Sequence, residues 1–181
     1  GWTSTSAIGY PALFGGVLLG SVIPVVPTGA LVAAAAALAM STGELSLPLV
    51  VLLAAVAALI GDLVTVGLAR VGSDTAQRWL ARGHHPERLA TVRERFARHG
   101  WLLVVTGRLV PAGRVPVLLA AGALAYPWRR LVPAAACGCL LWAAAYAALG
   151  ALTGGLFDDP LVASLLAAGV VLLIAAASSL V

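Results

Sequence analysis

The chain contains no lysine, and only 10% of its 181 residues are charged. That scarcity excludes much. Hydrophobic residues make up 61% of the chain, and the mean hydropathy is +1.03. A soluble domain of this length has too little core to hide so many apolar side chains, so lipid must cover some of them. The composition is that of an integral membrane protein. Without lysine there is no phosphate loop of the Gly-rich, Lys-bearing kind. No Gly-x-Ser-x-Gly elbow, His-Glu-x-x-His motif or nucleophile with its base is present either. The expectation is a protein that is not an enzyme and needs no cofactor.

Cysteine is as scarce as lysine is absent. Cys137 and Cys139 lie two apart in an apolar segment, and on a helix such positions do not face each other. They read as packing residues rather than a disulfide or metal pair. His84, His85 and His99 have no cysteine or acid at ligand spacing, so no metal site is expected.

All eleven basic residues are therefore arginine, and the net charge is +4. Six of them (Arg78, Arg82, Arg88, Arg93, Arg95 and Arg98) fall in the polar stretch 73–99, against Asp74, Glu87 and Glu94. Beside hydrophobic spans, such a cluster reads as a topology signal at an anionic membrane face, not a nucleic-acid site. The stretch 73–99 is placed in the cytoplasm. Within it, Ser73 can cap a helix that Gly83 ends, and Pro86 can open a second that Gly100 stops. Leu89, Val92 and Phe96 share a face opposite the arginines, which predicts an interfacial amphipathic helix over 86–99. A solvated connector is the alternative.

The apolar segments fall at about 7–20, 22–40, 47–70, 101–125, 131–153 and 161–181. A span needs about 20 apolar residues, which 47–70, 131–153 and 161–181 supply. Pro24 and Pro27 break the first two segments at their junction, and Pro111 and Pro116 break 101–125. Arg129 and Arg130 follow 101–125 and belong on the same side as 73–99. A hairpin that enters and turns back keeps both basic groups inside, whereas a crossing does not. The expected architecture is a single all-α membrane domain over 1–181: two oppositely oriented re-entrant hairpins, at 7–40 and 101–125, with about three spans. Two hairpins from opposite faces, each followed by a span, make an inverted repeat. "PVVPTGALVAAAAALA" at 24–39 resembles "RLVPAGRVPVLLAAGALA" at 108–125, in keeping with that plan.

Two arginines, Arg108 and Arg114, flank the second break. An arginine at the centre of a membrane helix costs roughly 3 kcal/mol on insertion scales. Irregular backbone inside a membrane is tolerated only against protein or a wet cavity. A break lets the two guanidiniums converge, and their planar donors match phosphate or carboxylate. A half-helix starting near Pro116 would add its positive end. The functional alternative is an anion site for a lipid phosphate, and the structural one is a pair of arginines satisfying hairpin carbonyls or snorkelling to the interface. Asp62 is the one acid inside a span, and such a group needs a partner or a proton. Arg108, Arg114 and Arg70 are the candidates to pair with it. Proton coupling and a structural ion pair both remain open for Asp62, and Glu44 reads as solvated.

Arg108-x-x-Pro111-x-x-Arg114 followed by Gly122 in "AAGALA" resembles the signature of the DedA family, also called the SNARE-associated or VTT-domain superfamily. "PVVPTGALVAAAAALA" is similar to that family's first proline-rich hairpin, "GDLVTVGLARVG" at 61–72 to its Gly-Asp motif, and "LLWAAAYAALGALTG" at 140–154 to its Trp-bearing span. The similarity covers roughly 20–155. It implies two opposed re-entrant hairpins in the cell inner (plasma) membrane and translocation of a phosphate-bearing lipid. The expected cargo is polyprenyl (undecaprenyl or decaprenyl) phosphate recycled for the cell envelope, or a glycerophospholipid. By position, Arg108 and Arg114 match the family's functional arginines and Asp62 an acidic position. Pro24, Pro27, Thr28 and Pro111 would line the cavity. The acids usual in the first hairpin are missing: Thr28-Gly29 and Gly20-Ser21 stand in those places. Coupling to protons would then rest on Asp62 alone, or the protein is a passive scramblase. The rivals are a proton-coupled exporter of small cationic compounds and a non-transporting scaffold docking through 73–99. Alanine- and glycine-rich faces permit a homodimer.

Overall fold

A computed structural model describes residues 4–23, 28–73, 86–110 and 113–154. The described residues form six helices and no strand: α1 Ser4–Val22, α2 Thr28–Thr42, α3 Leu47–Val71, α4 Pro86–Leu109, α5 Arg114–Ala123 and α6 Trp128–Gly154. The Pro24–Pro27 junction, the helix expected after Ser73, Pro111 and the span at 161–181 lie outside the described residues.

α3 and α6 are long and apolar enough to cross a membrane. At 25 residues, α3 reaches about 37 Å at 1.5 Å per residue, which exceeds a hydrocarbon core of about 30 Å. Its exposed face is apolar: Leu49, Leu52, Val56, Ile60, Val64 and Leu68 recur every three or four residues and all stay uncovered. A water-facing helix would not present such a stripe.

The chain divides into two compact units, Gly1–Gly61 with Cys139–Val181, and Asp62–Gly138. In the first unit, α1 and α2 fold back on each other, bringing Leu31 onto Gly16 fifteen residues earlier. The turn after α2 uses Gly43 at φ 67°, a left-handed conformation that glycine adopts without penalty. It returns the chain so that Leu45 packs at Gly9 and the Ser46 N–H donates to the Tyr10 hydroxyl at 2.8 Å. Val17, Val32, Val50, Ala54 and Cys139 are buried in the resulting core, so Cys139 is a packing residue. α2 and α6 meet in steps of four: Gly29 under Tyr146, Ala33 against Gly150, and Ala37 against Gly154. The two helices run in the same direction along this seam, and small residues let their backbones close to contact.

In the second unit, α4 and α5 also fold back, with Val117 on Gly107. α5 in turn lies along the second half of α3, where Gly122 meets Ala69 and the Val66 carbonyl. α5 closes in a Schellman motif: Tyr126 N–H donates to the Ala121 carbonyl at 2.9 Å and Ala125 N–H to the Gly122 carbonyl at 3.0 Å. This holds Ala125 at φ 52°, and Pro127 prevents the helix from resuming.

The helix from Pro86 is interrupted where Gly100 was expected to stop it: His99, at φ −131° and ψ 23°, is not helical, so α4 is two helical stretches joined by a kink there. Gly100 does not take the left-handed conformation of a glycine cap. Its use is close approach, since a Cβ there would lie 2.6 Å from the Tyr126 ring. The half-helix after the second break begins at Arg114, two residues before Pro116, as expected. Pro116 is its third residue, where the missing N–H would have had no helical acceptor. On the apolar face of 86–99, Val92 is exposed to the surroundings, while Phe96 is buried with its ring edge-on to Tyr126 at 5.8 Å.

Candidate functional site

The site lies in the second unit, where three helices each contribute one charged side chain. Asp62 sits midway along α3, Arg108 one residue before the end of α4, and Arg114 at the first residue of α5. The break between α4 and α5 is what brings the two arginines together. Six residues apart on one continuous helix, they would project about 600° apart, which is about 120° the short way around the axis, on different faces. Here the Gly113 N–H donates to the Val110 carbonyl at 3.1 Å, and Gly113 leaves space against the Gly107 carbonyl. Val117 then rests on Gly107, and the start of α5 returns beside the end of α4.

Both guanidiniums donate to the same carboxylate oxygen. Arg108 Nη1 and Arg114 Nε each lie 2.7 Å from Asp62 Oδ1. The Asp62 side chain is 3% exposed, Arg108 4% and Arg114 17%. The stem of Arg108 passes over Gly138 of α6, where a Cβ would crowd it at 3.3 Å. One carboxylate against two guanidiniums leaves a net charge of +1, held among apolar helices. A buried ion pair without excellent geometry loses more to desolvation than it gains. Two charge-assisted bonds of this length supply that geometry.

Of the candidates to partner Asp62, Arg108 and Arg114 both do so. Arg70 does not. Two turns along α3, it donates through Nη2 to the Tyr126 carbonyl and lies over the Trp128 ring, 4.3 Å from its centroid. It thereby ties the end of α3 to the turn after α5. Together with Asp62–Arg114 at one end and Gly122 between, it fixes α5 along α3. This clamp was not legible from the sequence, although "YPWRR" does place two aromatics beside arginines, the usual signature of a membrane interface.

The structure places the other expected site residues less fully. Thr28 opens α2 in the first unit and is half-buried. Pro24, Pro27 and Pro111 lie outside the described residues. Pro116 is exposed in the first turn of α5.

Chemically, the arrangement is a buried cationic centre with its own counter-ion. It can hold an oxyanion through planar N–H donors at a helix start, where unsatisfied backbone N–H groups also concentrate. No curated protein and no solved structure matches the chain. The family model for the VTT domain matches residues 39–152, which runs from the end of α2 to the last turns of α6 and takes in all three charged residues. With more than half of its length matched, the chain belongs to the VTT-domain family, the DedA/SNARE-associated family.

Proposed function

We propose that this chain moves a phosphate-bearing lipid between membrane leaflets, with polyprenyl phosphate as first choice and glycerophospholipid as second. The coarser frame is a membrane protein of a family that is generally transporter-like. The observation that carries the finer reading is the convergence of Arg108 and Arg114 on Asp62 beside the fold-back of α4 and α5. Two arginines with one acid make a site that favours an anion, and the planar guanidinium matches phosphate geometry. The head group would cross beside this centre while the tails stay in lipid.

In this account α1–α2 and α4–α5 are re-entrant hairpins entering from opposite faces of the inner membrane, with 73–99 cytoplasmic by its arginines. The packing supports an inverted repeat: α2 runs along α6, and α5 runs along α3. Each hairpin's second limb therefore lies on the span that follows the other hairpin, the exchange a two-fold repeat requires. Asp62 tunes the charge of the arginines.

The test is reconstitution of the purified protein in vesicles carrying either a labelled polyprenyl phosphate or a labelled phospholipid. Faster leaflet exchange than in protein-free vesicles supports the reading, and the preferred lipid names the cargo. No acceleration of either lipid by well-folded protein overturns it. An exporter of cations is disfavoured by the net +1 charge of the site, which repels such a cargo.

A further inference from the structure

Arg108 and Arg114 bond to one and the same oxygen of Asp62. A carboxylate so placed occupies the position of an anionic ligand: it meets the guanidiniums as a phosphate oxygen would, at the same charge-assisted distance. The three side chains differ in access. Asp62 and Arg108 are 3% and 4% exposed, whereas Arg114 is 17% exposed. Arg114 also stands at the first residue of a ten-residue helix that follows a break, while Arg108 lies near the end of α4, with its Cβ close to Gly138. A ligand thus reaches Arg114 first.

We propose that Asp62 is a built-in competitor for the lipid phosphate. On binding, the phosphate takes Arg114 from Asp62, while Asp62 keeps Arg108. On release, Asp62 takes Arg114 back. The inference rests on the lipid-phosphate reading above and adds to it the reason the site does not hold its cargo too tightly. A carrier that binds a phosphate with two uncompensated buried arginines would release it slowly. An internal anion that must be displaced lowers the apparent affinity by the fraction of time the site stands open. The expelled competitor also refills the site as the cargo leaves, so no bare cationic centre is left in a low-dielectric setting.

The site charge forms a ladder that can be tested. Counting the three side chains, the natural site carries +1. Arg114→Gln brings it to zero, Asp62→Asn raises it to +2, and the two changes together return it to +1. The probe is a short-chain phosphatidic acid titrated into detergent-solubilised full-length protein by calorimetry, with leaflet exchange of the long-chain lipid as the second readout. Asp62→Asn is expected to bind the probe about tenfold more tightly, as when the open form is about 10% populated, and to exchange lipid more slowly. Arg114→Gln is expected to lose binding, because Asp62 then fully neutralises Arg108. Adding Asp62→Asn to Arg114→Gln is expected to restore binding to near the natural level.

That rescue is the decisive arm. It needs only one buried arginine to be accommodated, so it does not depend on the +2 variant folding. If Asp62 merely braces the helices, the double variant binds no better than Arg114→Gln, and the inference is overturned while the lipid-phosphate reading stands. If the natural protein and every variant fail to bind the probe, the lipid-phosphate reading fails and takes the inference with it.

Discussion

Replacing Asp62 with alanine leaves two guanidiniums facing each other inside the second unit. Each loses a bond of 2.7 Å to Asp62 Oδ1, of a kind worth about 1.5–3 kcal/mol when one partner is charged. Removing one member of a buried ion cluster costs about 3–5 kcal/mol, because the charge left behind is uncompensated. The cost is unevenly shared. Arg108, at 4% exposure, has less access to water than Arg114, at 17%. Asp62→Ala is therefore expected to lower the unfolding midpoint on the order of 10 °C, taking about 2–4 °C per kcal/mol for a chain of this size. Adding Arg108→Gln to Asp62→Ala should recover much of that loss. Adding Arg114→Gln should recover less. The assay is thermal unfolding in detergent, followed by the monodisperse fraction on size-exclusion chromatography. An Asp62→Ala midpoint within about 2 °C of the natural protein, an effect under about 1 kcal/mol, would refute the reasoning. So would a further loss on adding Arg108→Gln.

Other positions test the packing. Gly150→Leu drives a side chain into the Ala33 carbonyl, a backbone atom that cannot step aside, and should destabilise by at least about 1–3 kcal/mol. Gly15→Ala meets nothing within 4 Å and should be neutral or stabilise by up to about 1 kcal/mol, as alanine is the better helix former. The same unfolding assay separates the two. Ala125→Gly relieves a left-handed φ of 52° and should raise the midpoint, the relief of about 1 kcal/mol being partly offset by glycine's greater unfolded-state entropy. Glu94→Ala removes an exposed i, i+4 pair with Arg98 at 3.0 Å and should change stability by less than about 0.5 kcal/mol.

The long helices were legible because apolar runs of span length have few other uses. The expected 47–70 and 131–153 became Leu47–Val71 and Trp128–Gly154. α6 begins three residues before the apolar run because Trp128, Arg129 and Arg130 can occupy a first helical turn whose polar groups face outward. The break within 101–125 was legible from its prolines, and it falls between Arg108 and Arg114. What could not be read was the choice among partners for Asp62. The three arginines lay within reach on paper, and Asp62 is 46 residues from Arg108 and 52 from Arg114. That Arg114 joins Arg108 there depends on how α5 docks along α3, with Gly122 against Ala69 and Arg70 bonded to the Tyr126 carbonyl. The sequence marks Gly100 and Gly122 alike as glycines. The packing adds that both are places where two elements touch.

Lipid exchange by the arginine variants tests the central claim most directly. Reconstituted at equal density in vesicles, the natural protein is compared with Arg108→Gln and Arg114→Gln, each first shown to be monodisperse and folded. The account predicts that the natural protein accelerates exchange of a lipid phosphate and that either variant loses most of that rate. Folded variants that exchange lipid as fast as the natural protein would contradict it, and would leave Arg108, Arg114 and Asp62 as a structural brace.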